Sequence, residues 1–166
     1  ENNKAALASA AFAHLHNHTQ FSVLQSTISV PALVKAAVER GMPAVALTDH
    51  ANMMGAFHFV NNVLNHNKSA EAKNKEAIEK GEEPTAQILK PVIGVEFFVC
   101  ENHEDKTRKD DGYQVVFLAK NKQGYHNLAK MSSIAYTKGF YYVPRIDKAV
   151  VEQYKENLIV LTGNMY

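Results

Sequence analysis

Apolar residues recur along this chain in two rhythms, and the rhythms alternate. In "FAHLHNH", residues 12–18, every second position carries a ring: Phe12, His14, His16 and His18, with Ala13, Leu15 and Asn17 between them. A period of two is that of a β-strand, whose successive side chains point to opposite faces. The pattern predicts a first strand with three histidines on one face. After the polar stretch "TQFSVLQST", the segment "SVPALVKAAVERG" brings Leu33, Val34, Ala37 and Val38 together at helical spacing. Ser29 reads as its N-cap, Pro31 lies in its first turn and Gly41 suits its C-terminal cap. "PAVALTDH" is an apolar run of strand length that ends in polar residues, and "MMGAFHFVNNVLNH" predicts a helix with the stripe Phe57, Val60, Val63 and Leu64.

Residues 65–87 break the rhythm: they are rich in Ala, Lys and Glu, interrupted by Gly81 and Pro84, and read as a solvated helical excursion or loop. Strand and helix then resume. "ILKPVIGVEFFVC" and "YQVVFLAK" are strands around the charged loop "ENHEDKTRKDDG". "NKQGYHNLAKMSSIAYTKG" is a helix, "FYYVPRID" an extended connection, "KAVVEQYKE" a short helix and "NLIVLTGN" a last strand. Apolar strands alternating with helices predict an α/β fold, a parallel sheet covered by helices.

Composition narrows this picture. A chain of 166 residues, 46% hydrophobic and 21% charged, is a globular domain and not a disordered segment. Its formal net charge of +1 argues against a general attraction to nucleic acid, so direct DNA contact by this chain is not expected. Cys100 is the sole cysteine, which excludes an internal disulfide, reads as a packed thiol and favours a reducing, cytoplasmic setting. No run is long and apolar enough for a membrane span or signal peptide, and the start, lacking Met, reads as the interior of a longer chain or a trimmed one.

The polar residues fall where a parallel sheet collects its site. His16 and His18 end the first predicted strand, Asp49 and His50 the second, and Glu96 lies in the third. Strand ends form the site rim in such folds, and three imidazoles with a carboxylate suit zinc, manganese or iron. The bland readings also fit each element alone. The histidines could meet water at a strand end, Asp49 could cap a helix, and Glu96 could sit in an ion pair.

The segments "FAHLHNHTQFSVL", "GMPAVALTDHANMMGAFHF", "KPVIGVEFFV", "LAKNKQGYHNLAKMSSIAYTKGFYYVPRID" and "NLIVLTGN" occur in this order. Together they resemble the polymerase and histidinol phosphatase (PHP) domain found at the N-terminus of bacterial DNA polymerase III alpha subunits. The resemblance runs from about Phe12 to about Asn164, and its 118–147 tract is similar to the polymerase branch in particular. It implies a distorted (β/α)7 barrel of the TIM type, with a three-metal cluster at the carboxyl ends of the strands. This chain would supply an incomplete N-terminal portion, a single domain over 1–166 decorated by the polar insertion at about 65–87. In members with an intact site the cluster hydrolyses phosphoesters, and in some polymerases it acts as a 3′–5′ exonuclease.

The family motifs map onto His16 and His18 (His-x-His), His50 (of "TDH") and Glu96, which in the family bridges two metals. Asp49 matches a carboxylate that orients an imidazole, and His14 a structural, hydrogen-bonded histidine. The departures are as informative. Where intact members carry Asp, His, and Cys or His, this chain has Gln25, Gln114 and Asn164, and amides are poor ligands for transition metals. A final Asp-x-His pair would lie past Tyr166. The resemblance therefore implies a degenerate centre that holds at most one zinc or manganese ion and no catalytic residue. The polymerase domains, with their Mg²⁺-binding carboxylates, would be absent here. The remainder of the polymerase chain, and through it replisome subunits and DNA, would be the partners. The rival is an active metal-dependent phosphoesterase or exonuclease. In the residues themselves, Tyr141, Tyr142 and Arg145 read as a packing pair beside an ion-paired Arg, with nucleic-acid stacking as the alternative. His58, His66, His103 and His126 read as solvated.

Overall fold

The structure, a computed structural model, describes residues 10–162. Helix α1 (Val30–Glu39) starts at Ser29, which is extended and accepts the Ala32 N–H through its hydroxyl. It ends before Gly41, whose φ of +67° is open to glycine without strain. The other elements are β1 (Ala44–Leu47), α2 (Ala56–Glu79), β2 (Lys90–Cys100), β3 (Tyr113–Ala119), α3 (Lys122–Thr137), β4 (Arg145–Asp147), α4 (Lys148–Tyr154) and β5 (Leu158–Leu161).

Strand β2 is the spine of a five-stranded sheet. Along one edge it pairs in parallel with β1 at 90–93, bridges His50 at Glu96, and pairs in parallel with β4 at 98–100. Its other edge pairs antiparallel with β3 over 94–99, and β3 pairs antiparallel with β5. The expectation of a parallel sheet is thus corrected to a mixed one. Apolar strand runs encode burial but not direction. The twelve-residue loop 101–112 returns β3 directly beside β2, with no helix to cross over.

The two faces of the sheet have different duties. Val45, Leu47, Ile93, Val95, Phe97, Phe117 and Ile146 meet the helices, with α1 and α2 over one half and α3 and α4 over the other. The opposite face carries Ala46, Val92, Val116, Leu118 and Leu161, and with them Glu96. Gly94 lies on this second face, two residues below Glu96. A Cβ there would meet the Phe117 carbonyl oxygen at 2.6 Å and Thr48 Cγ2 at 2.8 Å, so only glycine lets β1, β2 and β3 close at this level.

The histidine segment 12–18 forms no strand, which corrects the first expected one. It lies along β1 through the bonds Ala46 N–H to His14 carbonyl (3.0 Å) and Thr48 N–H to Asn17 carbonyl (2.9 Å). Asn17 replaces further ladder bonds with its side chain, donating to the Ala46 carbonyl at 2.9 Å.

Helix α2 is rotated relative to the expected stripe. Ala56, Phe59, Val63 and Ala70 are buried, whereas Phe57 is 76% exposed and Leu64 lies outside the core. The helical half of the expected excursion is present, and α2 runs on to Glu79 before Gly81 (φ +76°) turns the chain. The return segment is tied back by amides that mimic backbone pairing. Asn74 exchanges two bonds with Ala86, and Asn67 exchanges two with Leu89. His66 joins them through Gln87, at 2.9 Å from its carbonyl, and is half-buried and not solvated as expected.

The charged loop 101–112 is also clamped. Arg145 is fully buried and, contrary to the ion-pair expectation, donates to four carbonyls: Gly139, Asp110, His103 and Asp105. Tyr141 lies over its guanidinium at 5.5 Å, so the packing reading holds for Tyr141 and Arg145 is out of reach of nucleic acid, whereas Tyr142 is exposed. His103, expected to be solvated, is buried with Nδ1 2.5 Å from Asp147 Oδ2. Cys100 is buried beside the Ile146 carbonyl, and burial pushes its thiol up, as expected of a packed group.

Asp147 also caps α4 by accepting the Val150 N–H at 3.0 Å. Burial works to raise its carboxyl, but the bonds from His103 and the Val150 N–H outweigh it and hold the group below the usual carboxylate range. Its stabilising contribution is therefore full at neutral pH and lost as pH falls through that lowered value. Asp147→Asn should cost about 1–2 kcal/mol at pH 7. The gap to the parent chain should persist at pH 5 and close only below about pH 4, the ordinary carboxylate value. Urea unfolding at stepped pH checks this. No described helix is long and apolar enough to cross a membrane.

Candidate metal centre

The bottom of the site is the Glu96 carboxylate, held at the centre of β2 with none of its side chain exposed. Its backbone is locked on the β1 side, where Glu96 N–H donates to the Asp49 carbonyl and its own carbonyl accepts the Ala51 N–H. Ala51 sits in the left-handed region at φ +50°, a costly conformation for alanine. Ser132 on α3 pins that turn by donating to the Ala51 carbonyl at 2.5 Å. The strained turn aims His50 back at Glu96.

Three imidazoles converge on this one carboxylate. His16 Nε2 is 3.0 Å from Oε1, His18 Nε2 is 2.7 Å from Oε2, and His50 Nε2 is 3.1 Å from Oε2. Exposure of the rings falls from 32% for His16 to 23% for His18 and 10% for His50, so the site opens on the His16 side. Donor atoms of His16, His18 and Glu96 lie within 4.8 Å of one another; His50 approaches the same carboxylate without completing that group.

The hydrogen bonding is incomplete. His18 bonds Glu96, but His16 Nε2, His50 Nδ1 and Glu96 Oε1 are buried and have no hydrogen-bond partner among the described residues. Buried polar atoms are almost always paired, and a cation between the His16 ring and the carboxylate would pair His16 Nε2 and Glu96 Oε1 here. Burial lowers the His50 pKa, against the opposing pull of Glu96, and so favours the neutral imidazole that ligates metals. For Glu96 burial acts upward, but the His18 bond and the neighbouring histidines outweigh it and favour the carboxylate. Donor types and protonation states therefore fit a divalent transition ion.

Asp49 does not orient an imidazole as expected. Its buried carboxylate accepts the Thr19 N–H (2.6 Å), the Thr19 hydroxyl (2.7 Å) and the Ser22 hydroxyl (2.6 Å). Ser22 in turn accepts the His50 N–H, so Asp49 anchors the turn after His18 and the backbone of His50. His14 differs from expectation too: its ring is exposed and packs edge-on against Phe12, and only its backbone carbonyl is bonded. Gln25 lies exposed in the turn 20–25. Gln114 pairs with Phe98 across the β2–β3 ladder, which puts it on the same face as Glu96, two rungs away. Asn164 lies outside the described residues. Phe98, which sequence reasoning missed, stacks under His50 at 5.3 Å with the planes 13° apart. Its position two residues from Glu96 was the available signal, because it shares that face of the strand.

A model of the PHP domain family matches residues 14–166. The DNA polymerase III subunit alpha of Chlamydia pneumoniae is 38% identical over 153 residues, covering 90% of this chain and 11% of that protein. That of Borreliella burgdorferi is 37% identical over 152 residues (89% and 11%), and that of Aquifex aeolicus 37% over 161 residues (92% and 12%). The chain thus spans about a ninth of the length of the curated relatives it matches. Among solved structures it is similar to a protein described as a metal-dependent phosphoesterase from Bifidobacterium adolescentis, with TM-score 0.45, 18% identity, and 76% and 34% of the two chains covered. With the family match extending over the histidine segment, the His50 turn and the Glu96 strand alike, this chain belongs to the PHP domain family.

Proposed function

We propose that this chain is the N-terminal PHP domain of a bacterial DNA polymerase III alpha subunit, a supporting domain whose own metal cluster has decayed. Similarity to alpha subunits over nine-tenths of the chain supports the assignment. On this reading residues 1–166 are the N-terminal portion of a distorted (β/α)7 barrel and 65–87 its insertion. The Mg²⁺-dependent polymerase lies elsewhere in a longer, cytoplasmic chain, whose other domains, replisome subunits and DNA are the partners.

The observation that carries the loss of chemistry is Gln114. It stands on the face of Glu96, two rungs away, and offers a neutral amide where the family resemblance implies an imidazole. Gln25, with its side chain in solvent, adds nothing in exchange. His16, His18 and Glu96, assisted by His50, would hold a single zinc or manganese ion. Such an ion polarises a phosphoryl oxygen and acidifies a bound water. Glu96 fixes the site's depth, Phe98 and His50 close its floor, and Asp49 holds the turn that presents His18.

The chain should show no Mn²⁺- or Zn²⁺-dependent cleavage of p-nitrophenyl phosphate or of a labelled single strand above background. Steady turnover, abolished by His16→Ala, would overturn this reading in favour of an active phosphoesterase or exonuclease.

A further inference from the structure

Charge is spread unevenly along the chain, which the overall value of +1 conceals. Residues 112–146 hold four lysines and Arg145 but none of the seventeen acidic residues. Arg145 is buried, while Lys120, Lys122, Lys130 and Lys138 are all exposed. None of the four pairs with a carboxylate among the described residues, unlike Lys35, Lys80, Lys109 and Lys155.

Lys122 and Lys130 lie on helix α3, and Lys120 and Lys138 flank its two ends. Lys122, His126 and Lys130 follow at intervals of four, and Ser133 and Thr137 continue the same face. Beside this stripe Tyr125, Tyr136 and Phe140 are exposed, the last two stacked at 6.4 Å. On its other side a groove of about 680 Å³ separates α3 from α4, lined by Gln123, His126, Lys130, Ser133, Ile134 and Tyr154. Lys130 Nζ lies 5.8 Å from the Tyr154 ring centre. Acidic groups on this side come from α4 and its end, and Glu152 is already engaged by Lys155.

A row of unpaired cations flanked by accessible rings fits a polyanion that also has flat faces to stack. Single-stranded nucleic acid has both features; a duplex hides its base faces, and an acidic peptide has none. We propose that the outer face of α3 binds single-stranded nucleic acid, with Lys122 and Lys130 against phosphates and Tyr125 against a base. The proposal does not depend on the metal centre.

The test is fluorescence anisotropy of a labelled oligothymidine with the full 166-residue chain, in chelator so that the metal centre is silent, across a salt series. Binding should be micromolar at low salt. Lys122→Glu with Lys130→Glu should weaken it at least tenfold and make the salt slope shallower by about 0.7 per lysine. Tyr125→Ala should weaken it about fivefold or more with the slope unchanged. Lys73→Glu with Lys75→Glu, the same charge change on exposed α2, should have no comparable effect. Circular dichroism establishes that each variant is folded. Absence of binding, or an equal loss in the α2 variant, would overturn the proposal. So would displacement by polyglutamate together with a silent Tyr125→Ala, which would assign the face to an acidic protein segment.

Discussion

Replacing Arg145 with methionine should destabilise the fold by about 4 kcal/mol, the order expected when several buried carbonyls lose a charged donor at about 1–3 kcal/mol each. The side chain is fully buried, and its guanidinium reaches Gly139 through Nε (3.1 Å), Asp110 through Nη1 (2.9 Å), and His103 and Asp105 through Nη2 (3.3 and 2.8 Å). Methionine fills much of the volume but leaves four carbonyls to find new donors, three of them in the loop 101–112. Arg145→Lys should recover only part of the loss, because an ammonium has three donors and no planar fork. The loop should also become sensitive to limited proteolysis in both variants. A loss below about 1 kcal/mol in urea unfolding would show that the loop is held by other means.

The second large effect is on metal affinity. Glu96→Gln preserves the shape at the bottom of the site but removes its only charge, leaving imidazoles and an amide. Affinity for zinc should fall on the order of 100-fold or more, read by competition with a chromophoric chelator. His16→Ala should fall similarly, since its Nε2 and Glu96 Oε1 are the unpaired atoms that face each other at 3.0 Å. Unchanged affinity in both variants would place any bound ion elsewhere.

Much of the centre was legible because its parts obey short-range rules. His16 and His18, two positions apart, both reach Glu96 although the segment builds no ladder and His14 stays exposed. His50 and Glu96 come from apolar runs whose ends and centres are easy to mark. What escaped depends on partners distant in sequence. The direction of β3 follows from the loop 101–112, and that loop looks solvated until Arg145, more than thirty residues on, collects its carbonyls. His103 looked free for the same reason, since Asp147 is 44 positions away. Phe57 and Phe59 both fit a helical stripe locally on α2, and the sheet and α1 choose Phe59. The resemblance implies that Asp49 orients a ring, whereas Thr19 and Ser22, about thirty residues before it, consume its oxygens.

On the proposed function, His16, His18 and Glu96 hold a single ion. The direct measurement is metal stoichiometry. The chain, purified without chelator and titrated with zinc and with manganese, is followed by calorimetry and elemental analysis. About one equivalent is expected at saturation, lost in Glu96→Gln. Three tightly bound equivalents, or none even in excess metal, would contradict that expectation.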